Sequence, residues 1–214
     1  MKKNVVIVDY GHGNLYSINQ ACIQVGYKPI ISSSQTEIAN ADLLILPGVG
    51  AFKVAMNELI NKDLIEPIFE FVKKGNYLMG VCLGMQLLFE SSEEFGYSKG
   101  LGLVNGTVER FPSVINEKKI RVPHIGWNNI QNNSYENNWN SSPLANVSEQ
   151  DYFYFIHSYY VKPTDPNSIL SISQYQDLEF CSSVQKGNVF GFQFHPEKSA
   201  EQGLSIFKNF LNLK

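Results

Sequence analysis

The chain has 214 residues, with 17 Lys and Arg against 20 Asp and Glu, a formal net charge of -3. A hydrophobic share of 43% beside 17% charged residues is globular composition with enough apolar material for a full core, and it excludes a disordered chain. No basic stripe offers a nucleic-acid footprint and no apolar run approaches the roughly 20 residues that span a bilayer, so neither nucleic acid nor membrane is an expected partner.

Residues 4–10 (NVVIVDY) read as a buried first strand. The basic, then apolar start superficially resembles a secretion signal. Asp9 and the GHGN turn stop the apolar run after about five residues, short of the ~7–15 of a signal sequence, so a cytoplasmic protein is expected. Asn14 is placed to cap a helix running through Ile18 and Cys22 to Val25. Residues 29–32 and 43–46 are two further strands, the second ending in Pro47-Gly48-Val49-Gly50. Helical spacing covers residues 51–74, with a break expected near Lys62-Asp63 or at Pro67. Residues 77–81 form a fourth strand, and residues 83–91 begin another helix. Strands alternating with helices at this spacing predict βαβ units and a parallel sheet.

The second half changes character. Residues 101–111, 122–130, 152–161 and 169–175 all read as extended. Residues 180–185 and 189–194 flank Lys186-Gly187-Asn188, a hairpin turn. The Asn-rich stretch 131–142 is predicted to be a surface loop, and residues 204–213 an amphipathic closing helix. With no linker or internal repeat, the expected architecture is a single α/β domain over residues 1–214. It has a largely parallel central sheet flanked by helices, with antiparallel strands added late.

Three cysteines, Cys22, Cys82 and Cys181, form no CxxC pair, and their odd number argues against a disulfide framework. Cys22 and Cys181 read as buried small apolar residues. Cys82 differs, because Gly80-Val81-Cys82-Leu83-Gly84 lies between an apolar strand and an apolar helix. This is the G-x-nucleophile-x-G pattern of a nucleophile elbow with cysteine for serine. Such a turn lifts the nucleophile above the sheet edge, the helix start favours a thiolate, and the Leu83 N–H aims at an attacked carbonyl. Alone, the same five residues also fit a buried cysteine at a tight junction.

Phe192-Gln193-Phe194-His195-Pro196-Glu197 follows a late strand. In an extended chain His195 and Glu197 fall on one side, where a carboxylate orients an imidazole as in a catalytic triad. A strand-end histidine beside a solvated glutamate is the simpler alternative; the cysteine elbow, which needs such a base, favours the triad. Glycines in Pro47-Gly48-Val49-Gly50 let backbone N–H groups turn toward an oxyanion, although a plain tight turn fits too. Gly11-His12-Gly13-Asn14 lacks the last glycine of a dinucleotide fingerprint, since Tyr16 stands there. His12, His124 and His157 have no metal-ligand spacing and are left as structural or substrate-side residues, with no metal or other cofactor expected.

Together these segments resemble the class I glutamine amidotransferases, and within them the glutaminase subunits of imidazole glycerol phosphate synthases. The resemblance runs through DYGHGNLYSI, LPGVGAF, GVCLGMQLLFESSEE, GLGLVNGTV, VPHIGWN, YFIHSYYV and FGFQFHPEKS, nearly the whole chain. It implies Cys82 as nucleophile, His195 as base and Glu197 as orienting acid, with Gly48, Val49, Gly50 and Leu83 forming the oxyanion hole. Glutamine is then held by Gly50, Gln86, Glu94, Ser158 and Tyr159. Trp127 and Tyr154 face a partner, a (β/α)8 cyclase subunit that receives ammonia in a 1:1 heterodimer of histidine biosynthesis. A peptide of the PGVG loop is expected to switch activity, low alone and high with a ligand-loaded partner. The stretch between Ile130 and Pro143 is longer than the family pattern, which leaves open a paralogue feeding a sugar-amidating enzyme of surface glycans. A stand-alone γ-glutamyl cysteine hydrolase and a non-catalytic binding module are the other readings.

Overall fold

The structure, a computed structural model, describes residues 3–133 and 139–213. In chain order come β1 (Val5–Val8), α1 (Leu15–Gln24), β2 (Ile30–Ser32), α2 (Gln35–Ala39), β3 (Leu43–Leu46), α3 (Phe52–Asn61) and α4 (Ile65–Lys73). Then follow β4 (Tyr77–Val81), α5 (Leu83–Leu87), β5 (Ser91–Ser92), β6 (Ser98–Lys99), β7 (Gly106–Arg110), β8 (Val114–Ile115) and β9 (Lys118–Lys119). The last part comprises β10 (His124–Asn129), β11 (Gln131–Asn132), β12 (Tyr152–His157), β13 (Tyr159–Pro163), β14 (Ile169–Tyr175), β15 (Leu178–Lys186), β16 (Val189–Phe192) and α6 (Ala200–Leu211).

Strands β2, β1, β3, β4 and β16 lie side by side in parallel. From the β16 edge the sheet continues antiparallel through β15, β13 and β7. The all-apolar runs of β1 and β3 are explained by burial on both faces. Val6 and Val8 point to a core with Phe52, Leu59, Ile68 and Phe71 of α3 and α4. Val5 and Ile7 point the other way, to Ile18 and Cys22 of α1 and Ile206, Phe207 and Phe210 of α6. The α/β sandwich with late antiparallel strands is thus as expected. No helix among the described residues is long and apolar enough to cross a membrane.

One local expectation is narrowed to the first of its two alternatives, and several others are corrected. The break between α3 and α4 falls at Lys62 to Leu64, with Asp63 at φ 53°, whereas Pro67 sits in the first turn of α4 where its missing N–H costs little. Helix α2, capped by Ser34, was too short to show a period. Helix α5 ends at Leu87 instead of running on to Ser91, and only Gly106–Arg110 of residues 101–111 forms a strand. Residues 152–161 are two strands, because β12 pairs with β10 in a separate two-stranded sheet while β13 joins the main one. The Asn-rich stretch is not loop throughout. Gln131–Asn132 pairs with β14, and Trp139 is buried with its indole N–H on the Leu170 carbonyl at 2.8 Å. Residues 134–138 of that stretch lie outside the described residues.

Candidate active site

Parallel neighbours β4 and β16 end together, with Val81 opposite Phe192, so the segments that follow both strands emerge at one sheet edge. Cys82 directly follows β4 and takes φ 54°, ψ -112°, the strained left-handed region that an elbow imposes on a non-glycine residue. Its N–H donates to the Phe192 carbonyl at 2.7 Å, which ties the turn to β16. The flanking glycines are sterically required. A Cβ on Gly84 would stand 1.9 Å from the Leu46 carbonyl oxygen, and one on Gly80 2.7 Å from the Gly84 oxygen.

His195 follows β16, with its N–H on the Tyr154 carbonyl at 2.9 Å and its own carbonyl accepting from the Ser199 hydroxyl at 2.6 Å. Its Nδ1 lies 2.8 Å from Glu197 Oε1, both side chains being buried. The pairing arises differently from the extended chain expected. His195 is extended, but Glu197 lies in a 3-10 turn, Pro196–Lys198, that folds the carboxylate back onto the ring. Burial by itself would lower the His195 pKa. The Cys82 sulfur and then the Glu197 carboxylate outweigh it, raising the pKa to about 10. Nε2 of His195 has no partner in strict hydrogen-bond geometry among the described residues, although its charge state responds to Cys82. The ring therefore lies close enough to the Cys82 sulfur for the two groups to be electrostatically coupled.

A cavity of about 390 Å³ opens over the sulfur, in the size range of small-molecule sites. Val49, Gly50, Cys82, Leu83, Gln86, Glu94, Ser158, Tyr159 and His195 all line it. Gly48 enters through its carbonyl, which accepts from the Leu83 N–H at 3.3 Å. The Leu83 donor expected for an oxyanion is thus occupied in this structure. Val49 is 42% exposed and Gly50 has φ 101°, a loop conformation that depends on glycine. The Gln86 side-chain N–H₂ is also committed, donating to the Tyr159 carbonyl at 3.1 Å and to Gln193 Oε1 at 3.0 Å. Glu94 Oε2 accepts from the Phe52 N–H at the start of α3. Trp127 and Tyr154 are outside this lining. They face each other across β10 and β12 with ring centroids 5.9 Å apart.

Three contributors went unseen in the sequence, and the role of a fourth, His157, was open there. Gln193 is fully buried, and its amide lies 3.8 Å from the Cys82 sulfur. A lone polar residue inside the apolar run FGFQF was the available signal. Lys198 lines the cavity with its ammonium 5.7 Å from the Tyr154 ring centroid. Tyr10 donates its hydroxyl to the Pro47 carbonyl at 2.7 Å. His157, left undecided between structural and substrate-side roles, lines the cavity. Among the described residues no group of three His, Cys, Asp or Glu is arranged to hold a metal ion. A sulfur nucleophile, a carboxylate-oriented imidazole and a largely apolar cavity carrying a few polar groups together suit attack on a carbonyl carbon with the ring moving the proton.

The family model described as "Glutamine amidotransferase class-I" matches residues 6–213. Imidazole glycerol phosphate synthase subunit HisH of Geobacillus sp. (strain WCH70) is 46% identical over 97% of this chain and 95% of that protein. The proteins of that description from Bacillus subtilis (strain 168) and Chlorobaculum tepidum are 44% and 42% identical, over 97% and 96% of this chain and 95% and 98% of theirs. Among solved structures, one described as a glutamine amidotransferase superposes with a TM-score of 0.72 at 18% identity, covering 97% of this chain and 98% of that one. PurLQS from Thermotoga maritima gives 0.71 at 22%, covering 99% of each. These two likenesses speak for the fold.

Proposed function

We propose how the Cys82 site works from one premise: this chain belongs to the class-I glutamine amidotransferases, among the HisH subunits of imidazole glycerol phosphate synthase. It is a glutaminase of histidine biosynthesis, and glutamine is its substrate. In our reading the Cys82 thiolate attacks the side-chain amide carbon of glutamine and protonated His195 gives its proton to the departing ammonia. Neutral His195 then activates water, which hydrolyses the thioester to glutamate. Glu197 holds the ring in the tautomer that presents Nε2 to the sulfur. The observation that carries this is the His195–Glu197 pair at 2.8 Å sharing one cavity with a strained Cys82.

Glu94 and the side-chain oxygen of Gln86 receive the amino group of glutamine, and the Ser158–Tyr159 segment with Gly50 receives its carboxylate. The oxyanion is held by the Leu83 N–H and the Gly48–Val49–Gly50 segment once that segment turns and Gly48 releases Leu83. One such donor is worth roughly 10²–10³ in rate, enough for a loop peptide to act as the switch.

The acceptor of ammonia is a cyclase subunit, which we take to be a (β/α)8 protein bound 1:1 in the cytoplasm. Ile125, Trp127, Tyr152 and Ile156 expose an apolar ladder on the two-stranded β10–β12 sheet, and Ile156 also lines the cavity. That continuity supports delivery of ammonia under a docked partner instead of through solvent. Glutamate release by the chain alone and with its ligand-loaded cyclase tests the reading. Turnover should rise steeply with the partner, and Cys82→Ala should lose hydrolysis yet still bind. Near-normal turnover by Cys82→Ala, or equal rates with and without partner, would remove it.

A further inference from the structure

Strands β12 and β13 are separated by Ser158 alone, yet they belong to different sheets. At Ser158 the chain passes from the two-stranded β10–β12 sheet into the main sheet, and the Ser158–Tyr159 corner lines the cavity. A buried imidazole pair closes this corner. His157 Nδ1 lies 2.8 Å from the Tyr159 carbonyl oxygen, and His157 Nε2 lies 3.1 Å from Nδ1 of His124, its register partner on β10.

The tautomers follow from these contacts. A carbonyl oxygen only accepts, so His157 Nδ1 carries the proton and donates. Burial, its largest influence, lowers the His157 pKa to about 3, so the ring is neutral and its Nε2 is an acceptor. His124, likewise lowered to about 4 by burial, must then donate from Nδ1. Both rings sit against Phe155 and Phe180, which fixes their planes as well as their protons. The Tyr159 oxygen at the end of this chain also accepts from Gln86.

We infer that His124 and His157 are positioning residues: one directed hydrogen-bond chain, His124 to His157 to the Tyr159 carbonyl, locks the substrate corner of the cavity to the two-stranded β10–β12 sheet. Its kinetic consequence rests on the glutaminase reading; its geometry does not. Removing the His124 donor frees the His157 ring, which loosens the Tyr159 carbonyl and with it Gln86. Glutamine binding weakens while Cys82, His195 and Glu197 stay in place.

The test is steady-state glutaminase kinetics of the complex with the cyclase partner. His124→Phe keeps an aromatic ring and removes the donor, and KM for glutamine should rise on the order of tenfold with kcat within about threefold. His124→Asn carries an amide donor near the Nδ1 position and should restore KM. His124→Gln, closer in volume but with its donor at the Nε2 position, should not. A core histidine with a purely structural role would give no preference for Asn over Gln. Imidazole ¹⁵N NMR of the wild-type chain near neutral pH should show both rings as neutral Nδ1–H tautomers. An Nε2–H tautomer on either ring, or unchanged KM in both His124→Phe and His124→Gln, overturns the inference. Absence of wild-type glutamine hydrolysis would instead defeat the functional reading, and the NMR result would still decide the hydrogen-bond chain.

Discussion

The Tyr10 hydroxyl, two residues past the end of β1 and fully buried, reaches the Pro47 carbonyl, one peptide before the Gly48 carbonyl that occupies the Leu83 N–H. Burial, reinforced by the charge of the Cys82 sulfur, pushes the phenol pKa up, so it remains a neutral donor. The PGVG loop is thereby clamped at its first peptide, and its freedom to turn is confined to the peptides after Gly48. Tyr10→Phe leaves the Pro47 carbonyl without this donor and should lower stability by about 1–3 kcal/mol. It should also raise partner-free glutaminase activity several-fold, because Gly48 then releases Leu83 more readily, while the partner-stimulated rate changes little. Chemical denaturation and paired assays check both. A stable variant with unchanged partner-free turnover would show that the clamp does not restrain the loop. Cys82 and His195 were legible because their neighbours announce them, glycines two positions either side of one and a proline then a glutamate after the other. Tyr10 and Gln193 were not, since a tyrosine ending a strand and a glutamine in an apolar run gain their roles from which strands lie side by side.

At the scale of elements, the two-stranded β10–β12 sheet is held to the molecule by one face. Phe153, Phe155 and His157 point inward, while Tyr152 and Ile156 with Ile125 and Trp127 opposite remain exposed. Alternation of this kind was visible along residues 152–161. What it concealed was the change of sheet at Ser158, because a strand that switches partners keeps its period of two. The helices α1, α3 and α6 were visible for the opposite reason, as their apolar faces repeat over ten or more residues. Trp127 is 55% exposed and packs edge-to-face on Tyr154, as interface anchors do before a partner covers them. Trp127→Ala should leave thermal stability of the isolated chain nearly unchanged and weaken cyclase binding by roughly 10–100-fold, the loss of a central aromatic anchor. Calorimetric titration measures it, and an unaltered Kd would move the docking surface off this two-stranded sheet.

Across the whole molecule, the site exists because β16 enters the parallel block beside β4 after a long antiparallel excursion through β7, β13 and β15. That insertion brings residue 195 to residue 82, and no local pattern encodes it; only the completed sheet order does. The same packing buries imidazoles with opposite electrostatic consequences. His195, raised from 6.5 to about 10, contributes stability that is complete below pH 6.5 and lost as pH climbs through 10. Burial lowers His124 and His157 from 6.5 to about 4 and about 3, and for His157 the nearby His124 and His195 lower it further. Below pH 6.5 the unfolded chain takes up protons that these two folded rings refuse, so stability must fall with pH, the loss running from about 6.5 down to their folded values. Coupled as they are, the two rings contribute as a pair. Unfolding free energy should therefore decline between pH 7 and pH 4.5 more steeply in the wild type than in His124→Asn, which removes one of the rings while sharing every carboxylate. Urea titrations at a series of pH values give both slopes directly. Parallel slopes would mean that protonation of the buried pair does not contribute to acid unfolding.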